Sequence, residues 1–286
     1  ELPDGQVSFE LNEESSKLTV RSSSGKYNLS TIPGSDFPDF DVVKSDTTHK
    51  ISSAKLYELF QKTSFAMANQ DWRHYLNGCL FEKTESSVNM VATDAHRLSI
   101  YKSNLESDGD FTGIIPRKTV VELMKILPKN DGDIEFYINT NNIVFMSKKF
   151  TFKSKLIDGN YPNYNQVVPQ GEGSKITFNR KNMLDSLSRV SVLTSEKFKG
   201  VKLNKVDSGV LDISAHNPDQ ESAEEKLDIS GGVSGFDIAF NVNYLKEVLG
   251  TIDEEEISLV SFGSDKSALV ESGDSNQVLV LMPLLL

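Results

Sequence analysis

Hydrophobic residues follow a helical spacing in four segments of this chain and an alternating, strand-like spacing between them. The helical spacing predicts amphipathic helices near residues 51–68, 117–127, 180–194 and 242–250. Ser53 is the expected N-cap of the first helix, and Pro116 occupies a favoured early position in the second. Runs such as Ile134 to Ile138 alternate apolar and polar residues and predict antiparallel strands. Helices interspersed with such strands indicate an α+β fold, in which helices pack on antiparallel sheets.

This order of elements repeats after about 125 residues. Residues 116–127 align with 241–252, and residues 30–40 align with 154–164. A period of domain size predicts tandem copies of one whole fold, whereas solenoid repeats are much shorter. We therefore expect three modules: residues 1–45 as the C-terminal part of a first module whose remainder lies outside this sequence, residues 46–170 as a second, and residues 171–286 as a third. On this interpretation the chain is a piece of a longer protein.

Charge is distributed unevenly along the chain. The formal net charge is −11, which is unusual for a protein that binds nucleic acid. The first three predicted helices nevertheless carry a net positive charge. Because they occupy equivalent places in a repeat, the pattern favours a shared basic surface for an anionic partner. The alternative is that each helix simply exposes lysines to solvent.

Composition excludes several other classes of protein. No segment contains the roughly 18 consecutive apolar residues that a membrane-spanning helix needs. The single cysteine, Cys79, excludes internal disulfides, suits a cytoplasmic location, and lies in an apolar strand where we expect it to be buried and unreactive. The four histidines fall in unrelated stretches, and no nucleophile motif or glycine-rich phosphate loop is present. We expect no metal, no cofactor and no catalysis, with a nucleotide enzyme built on Asp94 and His96 as an alternative.

Several motifs together identify a family. They are residues 75–78 (YLNG), 92–98 (ATDAHRL), 116–118 (PRK), 154–159 (SKLIDG), 196–200 (EKFKG) and the C-terminal Met282-Pro283. In this order they resemble the bacterial DNA polymerase III beta subunit, the sliding clamp. The resemblance implies a non-catalytic, head-to-tail homodimeric ring that encircles duplex DNA without reading its sequence. Such a ring tethers the polymerase III catalytic subunit, and its other partners are the clamp loader and further proteins with clamp-binding motifs.

The resemblance and the charge pattern together assign residues that face DNA. The candidates are Lys55, Lys62, Gln70, Arg73, His74, Tyr75, Arg117, Lys118, Lys125, Arg189, Lys197 and Lys199. A few diffuse cations would attract the phosphate backbone weakly, which suits a ring that must slide. For the segment around Tyr75 an alternative stays open, in which Trp72 and Tyr75 only pack the end of the helix.

The resemblance also implies a pocket that takes short, extended peptides containing apolar residues and glutamine. Its residues are Leu76, Thr93, Ala95, His96, Arg97, Leu98, Pro162, Val167, Phe198, Asn241, Tyr244, Ser267, Val280, Leu281, Met282, Pro283 and Leu284. Apolar walls would hold the anchors, while His96, Arg97 and Asn241 orient the peptide. Ala95 replaces a common glycine, and Gln166 and Leu285 replace common basic residues, so we expect a less acidic peptide.

A subunit interface completes the predicted sites. By resemblance it comprises Lys26, Tyr27 and Leu29 on one side and Val192, Leu193, Asp219, Glu221, Glu224 and Glu225 on the other. Two such head-to-tail contacts would close a ring. Without the resemblance, the acidic strip would be an ordinary solvated face. A peptide-binding adaptor that does not encircle DNA remains the main alternative function.

Overall fold

The computed structural model describes residues 2–37, 47–84, 87–104, 109–127, 132–195, 197, 199–207, 209–232 and 236–285. The chain divides into two compact units, residues 1–43 and 44–286. Each unit is an assembly of antiparallel strands, and the larger one also contains all four α-helices of the described residues.

The smaller unit is a three-stranded sheet of strands β1 (Ser8–Asn12), β2 (Lys17–Arg21) and β3 (Lys26–Ser30), in that order. Its register places Leu11 opposite Leu18, and Leu18 opposite Leu29. Because side chains on a strand alternate between faces, the apolar residues of all three strands share one face.

The larger unit alternates single helices with groups of strands. Its elements in chain order are β4 (His49–Ser52), α1 (Ser53–Thr63), β5 (Gly78–Thr84), β6 (Ser87–Thr93), β7 (Arg97–Asn104), β8 (Phe111–Pro116), α2 (Arg117–Ile126), β9 (Asp133–Ile138), β10 (Asn142–Met146), β11 (Thr151–Lys155), β12 (Ser174–Asn179), α3 (Arg180–Val190), β13 (Gly200–Asp207), β14 (Val210–His216), β15 (Ser222–Asp228), β16 (Ser230–Gly231), β17 (Asp237–Asn241), α4 (Val242–Gly250), β18 (Glu256–Ser261), β19 (Ala268–Glu271) and β20 (Gln277–Leu281). All four predicted helices are confirmed.

The first helix shows how its sequence sets its limits. Ser52, not the predicted Ser53, is the N-cap: its Oγ accepts a hydrogen bond from the backbone N–H of Lys55 at 3.2 Å. Ser53 already belongs to the helix and is fully buried. Leu56, Leu59 and Phe60 are completely buried, and each such side chain stabilises the fold by about 1.5–3 kcal/mol. The helical spacing therefore predicted the buried face correctly. The N-cap lies one residue before the predicted position.

Three sheets organise the larger unit. Two have four strands, in the orders β11-β10-β9-β4 and β15-β14-β13-β17. The third has nine strands, in the order β16-β12-β18-β19-β20-β7-β6-β5-β8. This large sheet joins the predicted second and third modules, because β20 pairs antiparallel with β7 and places Val280 opposite Leu98 and Leu281 opposite Arg97. Residues far apart in the chain are thereby held side by side.

Each predicted module of the larger unit has its own hydrophobic core. One core gathers α1 and α2 around Phe60, Phe81 and Phe136, and the other gathers α3 and α4 around Phe178 and Phe240. A third cluster lies at the joint between β7 and β20 and includes Leu98 and Val280. The cores fix the helix pairs in place, and this determines which helix faces remain at the surface.

Cys79 is completely buried in the first of these cores. Burial raises the pKa of its thiol to about 12, so the reactive thiolate is not formed at neutral pH. The prediction that Cys79 is buried is confirmed. Among the described residues, no helix combines the length and apolar character that crossing a membrane requires.

Candidate functional site

A tight loop between β6 and β7 carries the most specific sequence motif. The Thr93 hydroxyl donates to the Arg97 carbonyl at 2.6 Å and accepts from the Ala95 N–H at 3.1 Å. The Asp94 carboxylate accepts from the backbone N–H groups of His96 and Arg97 at 2.9 and 3.0 Å. These bonds close the loop and hold Ala95 in the left-handed region, with φ of +74°. A glycine would adopt that conformation without strain, whereas an alanine in it has a strained backbone.

Arg97 is the hub of this region and is 7% exposed. Its Nε donates to Asp94 at 3.2 Å, its Nη2 donates to the Phe65 carbonyl at 2.7 Å, and its Nη1 pairs with Glu247 on α4. Its guanidinium carbon also lies 4.6 Å from the centre of the Tyr244 ring. Each of its three nitrogens therefore has a partner within the protein. These bonds hold its neighbours in place, and the expectation that Arg97 also orients a bound peptide stays a prediction.

His96 and Tyr244 form an aromatic wall above this hub. Their ring centres are 5.7 Å apart and the planes are 18° from parallel. His96 is exposed and Tyr244 is half-buried, and burial, followed by the charge of Asp94, raises the pKa of the tyrosine. Within the described residues, no three His, Cys, Asp or Glu side chains gather in a way that could hold a metal ion.

The C-terminal segment beyond β20 is tied to both predicted modules. The Met282 N–H donates to the His96 carbonyl at 2.8 Å, and the Leu284 N–H donates to the Ala239 carbonyl at 2.8 Å. Met282 keeps 37% of its surface exposed beside His96, so it offers an adaptable apolar contact. Asn241 is occupied as the N-cap of α4, where its Oδ1 accepts from the Asn243 N–H at 3.0 Å.

Predicted pocket residues line more than one cleft. One of about 640 Å³ is lined by Phe65, Met67, Ala68, Asn69, Asp71, Asp94, His96, Arg97, Arg117, Tyr244 and Glu247. Pro162 lines a different cleft of about 500 Å³ together with Tyr161 and Tyr164. Val167 and Ser267 meet each other, since the serine hydroxyl donates to the Val167 carbonyl at 3.3 Å.

The predicted pocket residues therefore fall into distinct groups. Exposed or half-exposed candidates at the surface are Thr93, Ala95, His96, Pro162, Val167, Asn241, Tyr244, Ser267, Met282, Pro283 and Leu284. Leu76, Leu98, Val280 and Leu281 are buried beneath them and support the surface. Phe198 lies outside the described residues. Sequence reasoning missed Phe65 and Glu247, because no motif or spacing connects them to Arg97.

The predicted DNA-facing cations also divide by environment. Lys55, Lys118, Lys125, Arg189 and Lys197 are exposed, while Arg117 and Lys199 are partly exposed. Lys125 binds Glu122 at 2.9 Å, and Arg189 binds Glu225, whose pKa it lowers. Arg117 uses one guanidinium N–H on the Met67 carbonyl at 3.1 Å.

The prediction that Lys62 faces DNA is contradicted by its burial. Instead of facing solvent it is 8% exposed and crosses to the other module, where its Nζ donates to the Thr251 carbonyl at 2.8 Å and pairs with Asp253 at 2.7 Å. Lys62 lies in the last turn of α1, close to the end of α4, so its ammonium fastens the two helix ends together. Because its ammonium is bound inside the protein, Lys62 contributes little to a cationic surface.

The segment after α1 presents Trp72 outward. Its indole is 82% exposed, so the alternative that Trp72 packs the helix end is wrong. Tyr75, by contrast, packs against the apolar cluster that contains Leu80 and Leu98, as that alternative held. Arg73 forms a two-point pair with Asp71, and Gln70 and His74 are exposed.

The predicted interface residues lie on two sheet edges. Lys26, Tyr27 and Leu29 are exposed on β3, whose only partner among the described strands is β2. Glu224 and Glu225 lie on β15, which pairs only with β14 among those strands, and Val192 is 77% exposed nearby in the chain after α3. Leu193 is half-buried, and Asp219 and Glu221 are exposed. Both edges offer unpaired backbone groups.

This chain is similar to known proteins along nearly its whole length. The family model for the DNA polymerase III beta subunit, central domain, matches residues 50–163, and the one for its C-terminal domain matches residues 165–285. A beta sliding clamp of Pseudomonas aeruginosa is 36% identical over 97% of this chain and 76% of its own length, and one of Vibrio cholerae is 38% identical over 99% and 77%. A crystal structure of the Pseudomonas aeruginosa DNA polymerase sliding clamp with ligand matches with a TM-score of 0.91, at 36% identity over 98% of this chain and 76% of that one.

Replacing Lys62 by Met should lower the free energy of unfolding by about 1–3 kcal/mol, since it removes charge-assisted hydrogen bonds but keeps the apolar stem. Chemical denaturation of both proteins measures the difference. Lys55→Met, an exposed lysine on the same helix, is the control and should change stability by less than about 0.5 kcal/mol. Equal effects of the two substitutions would contradict the role given to Lys62.

Replacing Ala95 by Gly should raise the free energy of unfolding by about 0.5–1 kcal/mol, because it relieves a left-handed alanine at some cost in chain entropy. The same substitution at Ala54, which is exposed in the first turn of α1, should lower stability. Parallel denaturation curves test this difference in sign. Destabilisation by Ala95→Gly would show that the loop is not strained.

Proposed function

Because the chain belongs to the DNA polymerase III beta subunit family, we propose that it is a sliding clamp, a non-catalytic processivity factor in DNA replication. The observation that carries this conclusion is the match to sliding clamps along nearly the whole chain, in sequence and in fold. A clamp surrounds duplex DNA and tethers the polymerase, so the polymerase rebinds the primer end before it diffuses away. Its place of action is the cytoplasm, where bacterial DNA is replicated.

The exposed cations of α1 and α2 support a DNA-facing role for this helix pair. Lys55, Lys118 and Lys125 are exposed, and the two helices pack beside each other. Such cations attract phosphates without fixing a register, so the attraction depends on salt and is independent of sequence. The whole chain has a net charge of −11 although these two helices carry a net positive charge, so the rest of the chain is acidic and would keep DNA away from other surfaces.

The surface around His96, Tyr244 and Met282 is the proposed docking site for partner peptides. Two aromatic rings and a flexible thioether suit apolar anchors from many partners, among them the polymerase catalytic subunit and the clamp loader. Arg97 supports this surface from below by holding Asp94, Glu247 and Tyr244 together. Exposed, uncharged Gln166 and Leu285 favour a peptide with fewer acidic residues.

We further propose three modules, residues 1–45, 46–170 and 171–286, and a head-to-tail homodimer. The matches to family models over residues 50–163 and 165–285 support the last two modules. The free edges of β3 and β15 support the dimer, because strand β3 carries Lys26 and strand β15 carries Glu224. Antiparallel pairing of these edges between two copies would bring opposite charges together.

One observation favours the alternative of a peptide adaptor that does not encircle DNA. Several of the predicted DNA-facing cations form ion pairs within the chain: Lys62 with Asp253, Arg73 with Asp71, Lys125 with Glu122 and Arg189 with Glu225. The positive charge available for DNA is therefore smaller than the sequence indicated. Retention on circular DNA separates a sliding clamp from a peptide adaptor.

The decisive test is retention on circular DNA. After loading by its clamp loader, the protein should stay on nicked circular duplex in high salt and should leave when the circle is cut, because a ring is held by topology and not by charge. Gel filtration of labelled protein with the DNA measures this. Binding of partner peptides without retention on circles would establish the adaptor instead.

Removing residues 282–286 should weaken binding of a synthetic polymerase clamp-binding peptide by about tenfold or more, because the deletion removes Met282 and both backbone bonds that tie down the tail. Removing only residues 285–286 is the matched control, since it leaves both bonds in place. Fluorescence anisotropy of labelled peptide gives the affinities. The unfolding transition should stay unchanged, because β20 ends at Leu281. Unchanged affinity would overturn the assignment of this surface.

A further inference from the structure

Trp72 is the only tryptophan of the chain, and 82% of its surface is exposed. Tryptophan can bury about 150–250 Å² on an apolar partner, so an open indole leaves a large contact surface unused. Single exposed apolar residues are common on proteins and need no function by themselves. Trp72 differs from that ordinary case in two respects, the rigidity of its loop and the chemistry around it.

The loop that carries Trp72 is held on both sides. Asn77 bonds Asp71 twice, by accepting from its N–H at 2.9 Å and by donating to its carbonyl at 2.8 Å. The Asp71 carboxylate in turn accepts from the backbone N–H and the guanidinium of Arg73, each at 2.8 Å, and this arginine lowers its pKa to about 2. At the base of the loop, the Ala68 N–H donates to the Leu76 carbonyl at 3.0 Å. The indole is therefore presented by a fixed backbone, which lowers the entropy lost on binding.

The surroundings of the indole are polar and contain cations. Its exposed neighbours in the chain are Asn69, Gln70 and His74, and the guanidinium carbon of Arg73 lies 5.7 Å from the ring centre. A protein-binding hot spot is normally enclosed by further apolar contacts, and none of these neighbours provides them. The Asn77 carbonyl accepts from the Arg117 N–H at 2.9 Å, so the loop also adjoins the positive end of α2, followed by exposed Lys118. An aromatic platform beside cations is the arrangement that binds single-stranded nucleic acid.

We propose that Trp72 stacks on an unpaired nucleotide of DNA at the place where a single strand joins the duplex. The inference rests on the proposed function, because it requires DNA to pass the surface formed by α1 and α2. Within a continuous duplex the base faces are already stacked on each other, and inserting an indole would cost a few kcal/mol per step. Trp72 would therefore let duplex slide past and would gain binding energy only at a base that is already free.

Trp72 itself reports on the proposal, because all tryptophan fluorescence of the chain comes from this residue. The probes are a DNA hairpin with a blunt end and the same hairpin with a twelve-thymidine overhang. We expect the overhang hairpin to quench the indole strongly and the blunt hairpin to leave it nearly unchanged. Equal quenching by both hairpins, or no quenching when anisotropy shows the overhang hairpin bound, would overturn the proposal.

Two substitutions separate stacking from simple bulk. Trp72→Ala should weaken binding of the fluorescein-labelled overhang hairpin at least about fivefold, the lower end for loss of one base–aromatic stack, while Trp72→Phe keeps most of the affinity. Phe37→Ala, at a phenylalanine that is 79% exposed in the smaller unit, is the matched control and should have no effect. Thermal unfolding should be the same for all variants, since none removes a buried side chain. Full affinity in Trp72→Ala would contradict the inference.

The experiment also keeps this inference apart from the function on which it rests. Wild-type protein that stays on circular duplex but shows no quenching by the overhang would retain the sliding-clamp function and lose only the role of Trp72. Wild-type protein that does not stay on circles would overturn the clamp function and this inference with it.

Discussion

The backbone pairing of β7 with β20 is the contact on which the candidate site depends. It makes a single nine-stranded sheet of strands from two predicted modules and sets Leu98 against Val280. Because side chains on paired strands are held about 5 Å apart, this register brings the loop at His96 next to the tail at Met282. A slip of one residue would turn the apolar partners to the wrong face and separate the two halves of the site.

Arg97 adds a second, electrostatic constraint at the same joint. A buried guanidinium is costly unless it is paired and hydrogen-bonded, and here Asp94, Glu247 and the Phe65 carbonyl are its partners. Two of these partners lie on other elements, so the arginine couples the loop to the turn after α1 and to α4. Lys62 does the same between the ends of α1 and α4. Charges that looked available for a ligand are thus part of the internal structure.

This use of charge bears on how a sliding protein can bind DNA. Lysines such as Lys55 and Lys118 remain free, whereas Lys62 and Arg189 are paired inside the chain. A surface with few free cations attracts phosphates weakly, and weak contacts are compatible with rapid movement along the duplex. Trp72 is of a different kind, because a neutral aromatic ring adds nothing to long-range attraction and acts only at contact.

Local pattern determined the helices, most strands and the buried side chains, because hydrophobic spacing reports directly which face of an element meets a core. It also located the motif around His96, whose loop is closed by bonds between residues at most four positions apart. Tertiary structure alone decided that Arg97 pairs with Glu247, 150 positions away, that Lys62 is buried, and that Trp72 is exposed. Those outcomes depend on which surfaces pack together, and a linear pattern carries no record of contacts between charged groups on distant elements.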